Sequence, residues 1–193
     1  MAVTTMSDEP GSSSLEIAVS LHDAAWLDAL ADLEERARAA VSAALTQAAA
    51  QSAGLAAPIV GGPLEVSLVF TDDAEQRVLN RDYRHKDSAT NVLSFPNMDD
   101  DLVPAGEPRL LGDVVLARET VAREAAEQGK SLADHTTHLL VHGVLHLLGH
   151  DHQDSEEAAA MEALERHILA GLGIADPYET ATAAMNEPEM GHG

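Results

Sequence analysis

The chain has 193 residues, enough for one ordinary domain that buries a core without staples. It contains no cysteine, which excludes a disulfide framework and restricts any metal site to nitrogen and oxygen ligands. Its 11 basic and 33 acidic side chains give a formal net charge of -22, a balance that repels nucleic acid at long range.

Residues 1–13 are small, polar and acidic and are expected to be a disordered tail; with neither a basic nor an apolar leader segment they do not read as a secretory signal. No apolar run approaches the ~20 residues of a membrane span, so a soluble, cytoplasmic protein without membrane contact is expected. Residues 14–20 alternate apolar and polar side chains and predict a strand. His22 or Asp23 then opens one long helix, with Trp26, Leu27, Leu30, Leu33, Ala37, Val41 and Leu45 at three- and four-residue steps. Residues 52–63 are punctuated by glycine and proline and read as a loop.

A second strand is expected over 64–71, followed by a helix capped by Thr71 or Asp72 that runs past Leu79 and Tyr83. Arg77, Arg81, Arg84 and Lys86, four of the eleven basic residues, fall within ten positions beside His85, a candidate basic site on an acidic body. A short strand over 91–95 stops at Pro96, an acidic loop covers 97–108, and a fourth strand lies within 109–117. A helix over 118–128 closes at Gly129. Ser131 caps a central helix that is apolar nearly all round, so its polar stripe of His135, His138, His142 and His146 is expected to face a cleft. A last helix starts at Ser155 and ends at Gly171 and Gly173. The order predicts an α+β (mixed α/β) single domain over 14–174, with an about four-stranded sheet packed by about five helices and a metal-binding central helix; residues 175–193 are expected to be a second tail.

The chemistry concentrates in residues 138–152, H-L-L-V-H-G-V-L-H-L-L-G-H-D-H. His142 and His146 lie one helical turn apart on one face and can aim imidazole nitrogens at one point. On a straight helix His150 would stand roughly 12 Å along the axis from His142 at ~1.5 Å per residue, too far to share a metal. A left-handed turn at Gly149 lets the chain reverse and favours His152 as third ligand. Three imidazoles leave one tetrahedral position open, the pattern of a catalytic rather than a structural zinc. The metalloprotease signature H-E-x-x-H-x-x-G-x-x-H matches these spacings, but Gly143 stands where that signature carries its glutamate base.

Three blocks, H-G-V-L-H-L-L-G-H-D-H, L-N-R-D-Y-R-H-K-D-S-A-T-N-V-L-S-F-P at 79–96 and L-G-D-V-V-L at 111–116, resemble the YbeY family of bacterial rRNA maturation factors. The resemblance covers about residues 15–172 and implies a zinc-dependent, single-strand-specific endoribonuclease. That enzyme would act in 3′-end maturation of small-subunit (16S) ribosomal RNA and in ribosome quality control. It implies one zinc per chain on His142, His146 and His152, and Arg84 as the functionally important arginine. Implied partners are ribosomal RNA and the small ribosomal subunit, with a ribosomal protein and a ribosome-associated GTPase. Where the family often has tyrosine before the Asp-His pair, this chain has His150. Asp151, His138 and His150 are candidates for the general base. Rival readings are another zinc-dependent hydrolase, acting on peptides or small molecules, and a non-enzymatic ribosome assembly factor with structural zinc.

Overall fold

The computed structural model describes residues 14–51, 63–97, 107–150 and 154–179. Four strands form one sheet: β1 (Leu15–Leu21), β2 (Leu64–Thr71), β3 (Val92–Pro96) and β4 (Arg109–Ala117). Their spatial order is β1-β2-β4-β3, with β1 and β4 parallel to β2 and β3 antiparallel to β4 at the edge. The expected four strands and mixed α/β class are those observed. None of the helices among the described residues is long and apolar enough to cross a membrane.

Six helices are seen among the described residues rather than about five, because the predicted long first helix is two: α1 (Ala25–Ala29) and α2 (Leu33–Gln51). Leu30 between them is extended, with φ -139° and ψ 94°. Trp26, Leu30 and Leu33 are nonetheless all buried. The apolar spacing runs through the break unchanged, so periodicity alone reads it as continuous. Trp26 anchors this corner, with its indole Nε1 donating to the Thr71 carbonyl at 2.9 Å and its ring edge-on to Phe70.

α3 (Asp73–Arg84) begins at Asp72, whose carboxylate accepts from the Glu75 backbone N–H at 2.9 Å. It ends at His85, held in the left-handed region at φ 59°, where backbone bonds run from His85 to Arg81 and from Lys86 to Asn80. That double closure terminates the helix, and leaves Arg84 as its last residue. α4 (Arg118–Glu127) follows β4 directly. α5 (Leu132–Leu147) is capped as expected, Ser131 Oγ accepting from the Asp134 backbone N–H at 3.0 Å. α6 (Ser155–Gly171) is capped by Asp154, one residue before the expected start.

α5 is the centre of the molecule, packing against α2, α4, α6, β3 and β4. It comes closest to the sheet at Gly143. A Cβ built there would lie 2.6 Å from Val114 Cγ1 and 3.2 Å from Ser94 Oγ. Val114 is fully buried in the interior strand β4 and has one methyl on each branch, so it has little room to move. Ser94 Oγ uses the same approach to donate to the Gly143 carbonyl at 3.1 Å.

Alanine raises intrinsic helix stability over glycine by about 0.8–1 kcal/mol, whereas overpacking a core costs about 1–3 kcal/mol. Gly143→Ala is therefore expected to lower stability by up to about 2 kcal/mol in urea denaturation. Gly171→Ala, facing open space at the end of α6, is expected to be neutral or stabilising. Equal effects at both positions would remove the close-packing role of Gly143.

Candidate metal and RNA site

Two carboxylates from neighbouring helices meet the histidine stripe of α5, and His135 and His138 also border a pocket with Lys130, Asp134 and Pro177. His135 is 3% exposed, and its Nε2 lies 3.0 Å from Glu124 Oε2 of α4, an oxygen that also accepts from Asn91 Nδ2 at 2.8 Å. Its Nδ1 is buried without a partner. His135 is thus a structural residue tying α5 to α4 and to the start of β3.

One turn on, His138 Nε2 lies 3.1 Å from Glu165 Oε2, and His142 Nδ1 lies 2.7 Å from Glu165 Oε1. Glu165 stands on α6 and its side chain is 1% exposed. The Tyr178 hydroxyl donates to its Oε2 as well. Burial alone would raise the Glu165 pKa, but the hydrogen bonds from His138, His142 and Tyr178 outweigh it and hold it at about 2. Burial, then the contact with that carboxylate, pushes the Tyr178 hydroxyl above its ordinary range.

His142 and His146 come together as their spacing predicts, with Nε2 atoms 3.1 Å apart and ring planes at 81°. Two imidazole nitrogens bound tetrahedrally to one zinc at ~2.0–2.1 Å would be separated by about 3.3 Å. The observed pair matches that separation, so these two residues fit a shared metal. Gly149 has φ 86°, and the His150 backbone N–H reaches back to the Leu145 carbonyl at 3.0 Å, giving the expected left-handed reversal. His152, the third expected ligand, and Asp151, a candidate base, lie outside the described residues, and no group of three metal-binding side chains is found among the described ones.

Of the other candidate bases, His138 has its Nε2 on Glu165 and its Nδ1 buried without a partner. His150 is half-buried, and desolvation lowers its pKa below the ordinary 6.5. The protease comparison also sharpens. Position 143 faces the sheet, so a glutamate there would collide with Val114 rather than enter the histidine site.

Arg84 stands at the exposed end of α3 and its Nη2 donates to the Ser94 carbonyl at 3.3 Å. Ser94 in turn donates to Gly143, the residue after His142. Two hydrogen bonds through Ser94 therefore tie the arginine segment to α5. Two of the four clustered basic residues are paired with acids: Arg77 forks onto Asp87 at 2.7 and 2.8 Å, and Arg81 contacts Asp82 at 2.7 Å. These are exposed pairs of small energetic weight, but they cancel local positive charge.

Sequence reasoning missed Glu165 and Tyr178. Glu165 carries a readable signal, because it lies at helical spacing among Met161, Leu164 and Ile168 on the apolar face of α6, where an unpaired carboxylate is not tolerated. Tyr178 falls within the expected tail. Residues 176–178 instead return to the domain, with Lys130 Nζ donating to the Pro177 carbonyl at 2.6 Å and the Tyr178 ring edge-on to His138.

The family model described as "Endoribonuclease YbeY" matches residues 28–173. A protein named "Endoribonuclease YbeY" from Paramagnetospirillum magneticum is 53% identical over 86% of this chain and 96% of its own length. One from Sphingopyxis alaskensis with the same name is 54% identical over 84% of this chain and 97% of its own. One from Agrobacterium fabrum is 62% identical over 60% of this chain and 68% of its own.

His135 supplies a pH dependence independent of any metal. Desolvation lowers its pKa from 6.5 despite the opposing Glu124 contact. The unfolded chain therefore binds the proton more readily, and stability falls as pH drops below the ordinary histidine value. In metal-free protein, urea midpoints are expected to fall between pH 7 and pH 5. His135→Gln, which keeps a donor for Glu124, is expected to reduce that loss. Identical pH slopes would mean that His135 is not desolvated in the folded state.

Proposed function

The chain belongs to the YbeY endoribonuclease family, and from that premise we propose that it is a zinc-dependent, single-strand-specific endoribonuclease acting in 16S rRNA 3′-end maturation and ribosome quality control. The observation that carries this reading is the path from Arg84 through Ser94 to Gly143, which couples a phosphate-binding side chain to the residue beside His142. The facing Nε2 atoms of His142 and His146 support the metal half of the same reading. Ribosomal RNA and the small ribosomal subunit are its partners in this proposal, with a ribosomal protein and a ribosome-associated GTPase alongside.

In this site His142, His146 and His152 would hold the zinc. The metal supplies Lewis acidity toward a phosphoryl oxygen when bound. Arg84 has a planar fork of donors, of which the Ser94 carbonyl engages only one end. The remaining N–H groups can grip the scissile phosphate and stabilise charge that develops on it. Its anchorage at the closure of α3 limits the side-chain freedom lost when RNA binds. The acidic body repels RNA at long range, so recognition depends on such short-range contacts.

Metal analysis of the purified protein is expected to find about one zinc per chain, and none in the His142→Ala, His146→Ala double variant. Zinc retained by that variant would overturn the ligand assignment. Arg84→Ala is expected to keep the fold and the zinc while lowering kcat/KM on single-stranded RNA by roughly 10²–10³. Unchanged cleavage would remove the arginine from the mechanism. Cleavage of casein in place of RNA would favour the peptidase reading.

A further inference from the structure

We infer that Glu165 is the positioning residue of the metal site, fixing His142 so that its Nε2 is the nitrogen presented to the metal, and that Tyr178 holds Glu165 in that role. The inference rests on the proposal that His142 is a ligand and names the group that makes it one.

A neutral imidazole carries one N–H, and an ionised carboxylate oxygen can only accept. With Glu165 Oε1 at 2.7 Å from His142 Nδ1, the proton belongs on Nδ1. Nε2 is left with its lone pair, and it is Nε2 that faces His146 Nε2 at 3.1 Å. A carboxylate behind the ring thus selects the tautomer, fixes the ring plane and raises the basicity of the ligating nitrogen. Glu165 is not exposed to solvent, which would otherwise screen this effect.

The carboxylate is itself held from two sides. Its Oε2 accepts from His138 Nε2 and from the Tyr178 hydroxyl. Tyr178 follows Pro177, whose carbonyl is gripped by Lys130 at the turn before α5, and its ring stacks edge-on against His138. The chain beyond α6 therefore closes over the back of the site and reaches His142 through one carboxylate. His135 and Glu124 do not take part; their contact lies on the side of α4.

The test measures zinc affinity by competition with a chromophoric chelator, beside the stability of the metal-free proteins. Glu165→Gln, which keeps the size of the side chain and removes its charge, is expected to bind zinc 10- to 100-fold more weakly while folded. Tyr178→Phe is expected to weaken binding less, by under about tenfold. Nitrogen-15 spectra of the zinc-loaded wild type are expected to show a protonated His142 Nδ1 and a metal-bound Nε2. Zinc bound through Nδ1 would overturn the inference, and this measurement decides even where Glu165→Gln does not fold. A folded Glu165→Gln that binds zinc like the wild type would overturn it too, leaving the endoribonuclease reading intact. A wild type that takes up no zinc would overturn both.

Discussion

The arrangement of this protein depends on how closely α5 lies on the sheet at Gly143. With no side chain at that position, Val114 of β4 and Ser94 of β3 reach the helix backbone itself, and the Ser94 hydroxyl bonds the Gly143 carbonyl. The contact fixes both the depth of the helix and its rotation about its axis. Because residue 143 must face the sheet, His142 is turned aside toward α6 and His146 follows it one turn later. A bulkier residue would push the helix outward and change the direction of every histidine on it.

Burying such a helix creates a second demand. α5 is surrounded by α2, α4, α6 and the sheet, yet carries a polar stripe through this interior. Buried polar groups need partners, and the chain supplies them as carboxylates, Glu124 from α4 and Glu165 from α6. Each stitches two helices together at a histidine. The protein thus uses a few of its many acidic residues internally, while others cancel surface arginines at Asp82 and Asp87.

Much of this was legible in sequence because it follows from local rules. The strands read at 14–20 and 64–71, the caps at Thr71 or Asp72 and at Ser131, the pairing of His142 with His146 and the reversal at Gly149 each depend on neighbours within a few residues. What escaped depends on distance or on cancelling signals. The break at Leu30 leaves the apolar spacing intact, so nothing in the pattern marks it. Glu165 meets His142 across 23 positions and Tyr178 follows a proline in a polar stretch, so the partner of each is set by tertiary packing. The four clustered basic residues read as one surface, but the acids that pair with Arg77 and Arg81 are assigned only in three dimensions.

The bond between Arg84 and Ser94 bears on association as well as chemistry. β3 is an edge strand, and Asn91 and Asn97 make the flanking bonds to Ala117 and Leu111 of β4. Antiparallel alternation therefore turns the Ser94 carbonyl outward, toward the open margin of the sheet. Unpaired groups on such a margin are templates for strand addition by another chain. The guanidinium of Arg84 occupies that acceptor and brings a fixed positive charge to the margin. That occupied acceptor and its charge disfavour the pairing of a further strand at this margin.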